Sequence, residues 1–188
     1  MGIAKIAAQK KVNTVLGIDA STNSVAFCLY DKNGPQKWGE ITFQGNNVFE
    51  RLSDAQRKLA TQRKTLTADL IIFESAVFVQ NKKTVVLLAY AFGAIVGALM
   101  KKGTRVEEIP PITWQNAIGN KALTKTEKEQ IKKQYPDKSA SWYSNKFRET
   151  RKQRTMDWVK KNYNIDVPND NVSDAIAVAK VGFDKFGG

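Results

Sequence analysis

Two hydrophobic periods divide this chain. From Val15 to Phe43 the apolar residues come in short runs broken by turn formers. Val15–Ala20 and residues 24–30 read as strands, and the Asp31-Lys-Asn-Gly-Pro35 turn leads to a third at 36–43. The three predict an antiparallel meander. Residues 46–66 then change to helical spacing, with Val48, Leu52, Ala55 and Leu59 on one face among many charges. Residues 69–73 are continuously apolar, the signature of a strand in the middle of a sheet. An apolar helix at 81–102 and a fifth strand at 105–109 follow, the latter stopped by Pro110-Pro111. A short helix at 112–118 closes on Gly119. Residues 121–154 break the pattern, and the last helices are expected at 148–163 and 170–183. This is one α/β domain over residues 1–188: a mixed five-stranded sheet flanked by helices.

Three acidic residues interrupt the apolar runs. Asp19 lies in Leu16-Gly-Ile-Asp-Ala20, Glu74 closes Leu70-Ile-Ile-Phe-Glu74, and Asp174 precedes Ala175-Ile-Ala-Val-Ala179. Burying an unpaired carboxylate costs several kcal/mol or more, so such groups are neutralised, paired or bound to a cation. Taken singly, Asp19 and Glu74 could each cap a strand end or pair with a core lysine. Three such acids on separate elements point to one shared cation. The chain has no histidine, which excludes Ser-His-Asp and Cys-His catalysis and every histidine-based zinc site. Hard divalent ions on oxygen ligands remain, magnesium or manganese first. Asp170 and Asn171 share the helical face of Asp174, and both are candidate further ligands. Asp170 reads equally as a helix N-cap.

Charge adds a partner. Thirty Lys+Arg against eighteen Asp+Glu give a net charge of +12, which favours a polyanion, nucleic acid before membrane. Cys28 is the only cysteine, so no intrachain disulfide forms, consistent with a reducing compartment. No secretion leader is evident in the short basic N-terminal stretch, and the expected location is the cytoplasm of a bacterium or phage-infected cell. Residues 84–100 are apolar enough to raise a membrane span, with Gly93 and Gly97 at a helix-packing spacing. Their position between two strands instead predicts a buried helix and no membrane partner. Residues 121–154 hold eleven Lys/Arg against four Asp/Glu, together with Tyr135, Trp142, Tyr143 and Phe147. Lys132, Lys133 and Arg151 are candidate phosphate contacts. The aromatic residues either stack on unpaired bases or pack down on the body.

The element order is that of the ribonuclease H-like fold. Leu16-Gly-Ile-Asp-Ala-Ser-Thr22, Ile72-Phe-Glu-Ser-Ala-Val-Phe78 followed by Asn81, and Ser173-Asp-Ala-Ile-Ala-Val-Ala179 resemble the blocks of RuvC-type Holliday junction resolvases. The blocks keep that family's order and approximate spacing over most of the chain. The resemblance implies a homodimer that nicks two opposed strands of a four-way DNA junction, leaving 5′-phosphates. It also implies that Asp19, Glu74 and Asp174 are catalytic ligands of magnesium or manganese, with two ions per site. Lys152 matches a functional lysine of the family, and Phe78 is either a wedge at the branch point or a buried residue. Three departures stand out. Asn171 occupies a position usually acidic, Trp114 stands where the family carries a lysine, and residues 121–147 form a basic insertion. Other readings stay open: a flap or RNA–DNA hybrid nuclease, a non-catalytic DNA-binding module, or an actin-like kinase suggested by Gly17-Ile-Asp-Ala-Ser-Thr-Asn23.

Overall fold

The computed structural model describes residues 11–75 and 82–188; Phe78 and Asn81 lie outside the described residues. The elements are β1 (Val15–Ala20), β2 (Ser24–Asp31), β3 (Gly34–Thr42), α1 (Val48–Gln62), β4 (Leu70–Glu74), α2 (Lys82–Leu99), β5 (Arg105–Ile109), α3 (Pro111–Ala117), α4 (Lys125–Gln134), α5 (Ala140–Tyr163) and α6 (Asp170–Phe186). The five strands form one sheet in the order β3-β2-β1-β4-β5. β1 and β2 pair antiparallel, as do β2 and β3, whereas β1–β4 and β4–β5 are parallel. The mixed sheet expected from the sequence is therefore present, with β1 and β4 side by side.

The two-residue period of the strands decides which helices each side chain meets. On β1, Leu16 and Ile18 join the core under α1 and α2, and on β4, Ile71 and Phe73 do the same. Val15, Leu70 and Ile72 belong to the opposite core, under α3 and α6. Asp19 and Glu74 continue that second set. The β1–β4 register runs through Ile18 opposite Phe73, so the next step sets the two acids side by side at the strand ends.

α6 lies unusually close to β1 because both surfaces are small. A Cβ at Gly17 would stand 2.5 Å from the Ala175 carbonyl oxygen and 2.6 Å from the Ala179 Cβ. One at Gly182 would meet Ile72 Cγ2 at 2.8 Å. Glycine and alanine at these positions let the helix settle onto the sheet, and this settling carries Asp174 toward the strand ends.

The structure corrects the sequence reading in three places. Lys125–Gln134, in the stretch where the sequence pattern breaks and no helix was expected, is a helix; it buries no residue, and a Thr124–Glu127 capping box marks its start. α5 begins at Ala140 rather than 148, capped by the Ser139 hydroxyl, so residue 147 falls inside a helix. α2 buries only Ala91, Ile95 and Leu99. Its other face leaves Val85, Val86 and Tyr90 open, at 39, 47 and 49% exposure, so it is not the buried helix that was expected. By length and composition alone this helix could cross a membrane.

Candidate active site

Asp19 is the penultimate residue of β1, Glu74 ends β4 and Asp174 sits in the second turn of α6. Burial raises the Asp19 carboxyl, and the charges of Glu74 and Asp170 raise it further, to about 7, against a partial offset from Lys152. Burial together with Asp19, Glu74 and Asp170 pushes Asp174 to about 8, offset in part by the Thr155 hydroxyl. Glu74 is also raised by burial. Asp19 and Asp174 thus both feel the charges of Glu74 and Asp170, and Asp174 feels Asp19 as well. Among the described residues, nothing donates a hydrogen bond to the buried Asp174 Oδ1.

A ring of neighbours fixes this group. The Trp114 indole Nε1 donates to Glu74 Oε2 at 2.7 Å, from a ring that is fully buried. Lys152 forms an ion pair with Asp170. The cap of α6 is Asn169, whose side chain accepts from the Val172 amide, so the N-cap reading of Asp170 is corrected. Glu40 on β3 accepts from Asn169 Nδ2 at 2.6 Å and from Asn171 Nδ2 at 3.1 Å. Burial raises Glu40, but hydrogen bonds from Ser24, Asn171 and Asn169 outweigh it and hold the carboxyl below its ordinary value. Arg151 donates to Gln115 Oε1 at 2.5 Å and to the Asn120 carbonyl at 3.2 Å, and so locks α5 to α3.

Comparison with known proteins gives this geometry a family. The family described as crossover junction endodeoxyribonuclease RuvC matches residues 15–135, well over half of the chain. The chain belongs to the RuvC family. Two solved structures similar to it are of the Thermus thermophilus RuvC. One, in complex with a Holliday junction substrate, is 13% identical, with a TM-score of 0.62 over 89% of this chain and 90% of that one. The other is also 13% identical, with a TM-score of 0.61 over 92% and 95%. At this identity the likeness establishes the shared ribonuclease H-like fold. No curated protein sequence matches.

Membership in the RuvC family makes the chain a crossover junction endodeoxyribonuclease, a class that depends on divalent metal. Among the described residues, no three acidic or cysteine side chains stand close enough together to hold an ion unaided. The donor set fits one nevertheless. It is all oxygen, neighbouring carboxylates raise the proton affinity of Asp19 and Asp174, and among the described residues the buried Asp174 Oδ1 has no hydrogen-bond partner. A divalent cation would relieve each of these costs at once.

Of the residues singled out from the sequence, the fold brings Glu74 and Asp170 within electrostatic reach of both Asp19 and Asp174, with Lys152 acting on Asp19. Asn171 faces Glu40, and Arg151 serves as a structural lock. Lys132 lies with its ammonium 5.7 Å from the Tyr143 ring centroid, and Lys133 is exposed on α4. The aromatic residues of the basic segment touch one another: Tyr135 meets Trp142 at 5.2 Å, Trp142 meets Tyr143 at 5.5 Å, and Tyr143 meets Phe147 at 6.3 Å between centroids. Glu40 was missed in the sequence because a charged residue on an edge strand looks like ordinary solvent exposure. Trp114 was noted only as a departure. Nothing in Ile112-Thr-Trp-Gln-Asn116 hints that its N–H reaches a carboxylate.

Proposed function

We propose that the carboxylate group is the catalytic centre of a nuclease that resolves four-way DNA junctions by paired nicks. The observation that carries this reading is the convergence of Asp19, Glu74 and Asp174 from two parallel strands and a crossing helix, with one Asp174 oxygen buried and unpartnered. Too far apart to hold an ion unaided as they stand, these three would draw in around two magnesium or manganese ions, with Asp170 as an auxiliary ligand whose excess charge Lys152 balances. Bound there, the ions would supply an activated water and stabilise the leaving oxygen of the phosphodiester. The chain's own residues do the positioning. Trp114 holds Glu74 through a neutral donor, leaving the carboxylate its full charge. Lys152 stands at the cleft that reaches Glu74 and Asp174, where its ammonium can meet a phosphate. Asn171, its amide N–H engaged by Glu40, is the less favoured fourth ligand.

Paired nicks need two sites. The open apolar stripe of α2, with Val85, Val86 and Tyr90, extends across the Phe49 ring, 6.2 Å from Tyr90. A second copy of the chain would cover it, so the working unit is a homodimer acting in the cytoplasm rather than a membrane protein. The Thermus thermophilus protein in complex with a junction supports the choice of substrate. The test is incubation with labelled four-way junction, flap, duplex and RNA–DNA hybrid, in magnesium and in EDTA. Symmetric, magnesium-dependent nicking of the junction is expected. Preference for the flap or hybrid would replace the substrate, and binding without cleavage on any of them would refute the nuclease.

A further inference from the structure

A cleft of about 520 Å³ opens between the α4–α5 hairpin and the ends of the strands. Glu74 and Asp174 line it from β4 and α6, and Lys128, Arg148, Arg151 and Lys152 line it from α4 and α5. Its four cations are not equivalent. Arg151 is tied to Gln115 and Asn120, and Lys152 to Asp170. Lys128 has its ammonium 5.8 Å from the centroid of the Phe147 ring. Arg148 is exposed and, among the described residues, its guanidinium makes no hydrogen bond or ion pair, although two carboxylates line the same cleft.

Arg148, Arg151 and Lys152 stand at i, i+3 and i+4 on α5, so they share one helical face. The Arg151 lock sets the rotation of that face relative to α3, and thereby turns Arg148 into the cleft. A guanidinium held this way offers two parallel donors to a phosphate, which a lone ammonium cannot match. Two carboxylates opposite it would repel a phosphate unless cations stood on the near side. From this arrangement we propose that the hairpin wall of the cleft is a phosphate-binding site, with Arg148 as its anchor and Lys128 beside it. It grips the backbone of the DNA strand being cut, next to the scissile bond. Arg148 lies beyond residues 15–135, where the family match ends, so the match itself assigns it nothing. The inference rests on the nuclease reading for the identity of the strand, but not for the existence of the site.

Junction binding by the full-length protein, measured in EDTA over a series of salt concentrations, tests it. Arg148→Ala should weaken binding roughly threefold to tenfold and flatten the log–log salt slope by about 0.9 for each phosphate that it no longer neutralises. Arg148→Lys should restore the slope while recovering only part of the affinity. Lys161→Ala removes the same charge about 20 Å further along α5 and should leave the slope unchanged. Wild-type affinity and slope in Arg148→Ala would overturn the proposal, as would equal losses in Arg148→Ala and Lys161→Ala. Parallel cleavage assays separate the two readings. A wild type that binds but never cuts, combined with loss of binding in Arg148→Ala, retains the site and removes the nuclease.

Discussion

The carboxylate centre and the α4–α5 hairpin are built on opposite terms. The centre hangs on a close-packed sheet-and-helix interface, in which Gly17 leaves no room for even a methyl group against α6. The hairpin has almost no core: α4 buries nothing, and α5 buries only Thr155 and Val159. It is held instead by the ladder of rings from Tyr135 to Phe147, by the Arg154–Glu127 ion pair, and by the Tyr143 hydroxyl donating to the Tyr135 carbonyl at 2.6 Å. On the proposed reading, chemistry that needs close placement would sit where packing is tight, and charge that contacts DNA would sit where it is loose.

This contrast predicts a graded series of losses. Asp19→Asn, Glu74→Gln and Asp174→Asn should each reduce cleavage by about a thousandfold or more, equivalent to at least about 4 kcal/mol of barrier, while junction binding persists. The same substitutions should stabilise the metal-free protein at alkaline pH. Asp19 and Asp174 are raised to about 7 and about 8 from 3.8, so between pH 4 and 8 the native state keeps protons that the unfolded chain has released. Metal-free stability therefore falls as pH rises through that window. Melting curves from pH 5 to 8.5 in EDTA should show the decline, and Asp174→Asn should flatten it. An unchanged slope would mean that Asp174 carries no such strain.

Trp114→Phe keeps a buried ring and deletes the donor to Glu74. Outer-shell partners of this kind are worth roughly 10–100-fold in metal affinity or activity. The manganese concentration for half-maximal cleavage should rise by that order with little change in melting temperature. A large loss of stability with an unaltered metal requirement would make Trp114 a packing residue only.

The smallest effects compare the two regions directly. Gly17→Val should cost about 1–3 kcal/mol by overpacking and reduce cleavage, because it lifts α6 and Asp174 with it. Tyr143→Ala removes ring pairs worth roughly 0.5–1.5 kcal/mol and should weaken junction binding, leaving metal affinity intact. Equal effects of the two on metal affinity, read by manganese titration, would erase the distinction.

Much of the sheet was legible because its residues are governed by burial. Leu70–Phe73 had to be a central strand, and the odd acids Asp19, Glu74 and Asp174 stood out against an apolar background. Where burial does not govern, the reading failed. α4 carries no apolar stripe, and only the local Thr124–Glu127 box announced it. The apolar run of α2 suggested full burial, yet composition cannot say whether a helix is covered by its own chain or by another surface. Arg148 was indistinguishable from its basic neighbours, because its significance lies in having no partner among the described residues, which depends on where α5 points. Glu40 and Trp114 act through long-range hydrogen bonds that leave no sequence spacing to detect.

The central claim is that Asp19, Glu74 and Asp174 together hold the catalytic metal. The most direct measurement is anomalous scattering from crystals of the wild type and Asp174→Asn soaked in manganese. The wild type should show manganese bounded by these three side chains, and Asp174→Asn should lose part or all of that signal at the same concentration. Manganese bound elsewhere, or an undiminished signal in Asp174→Asn, would contradict the account.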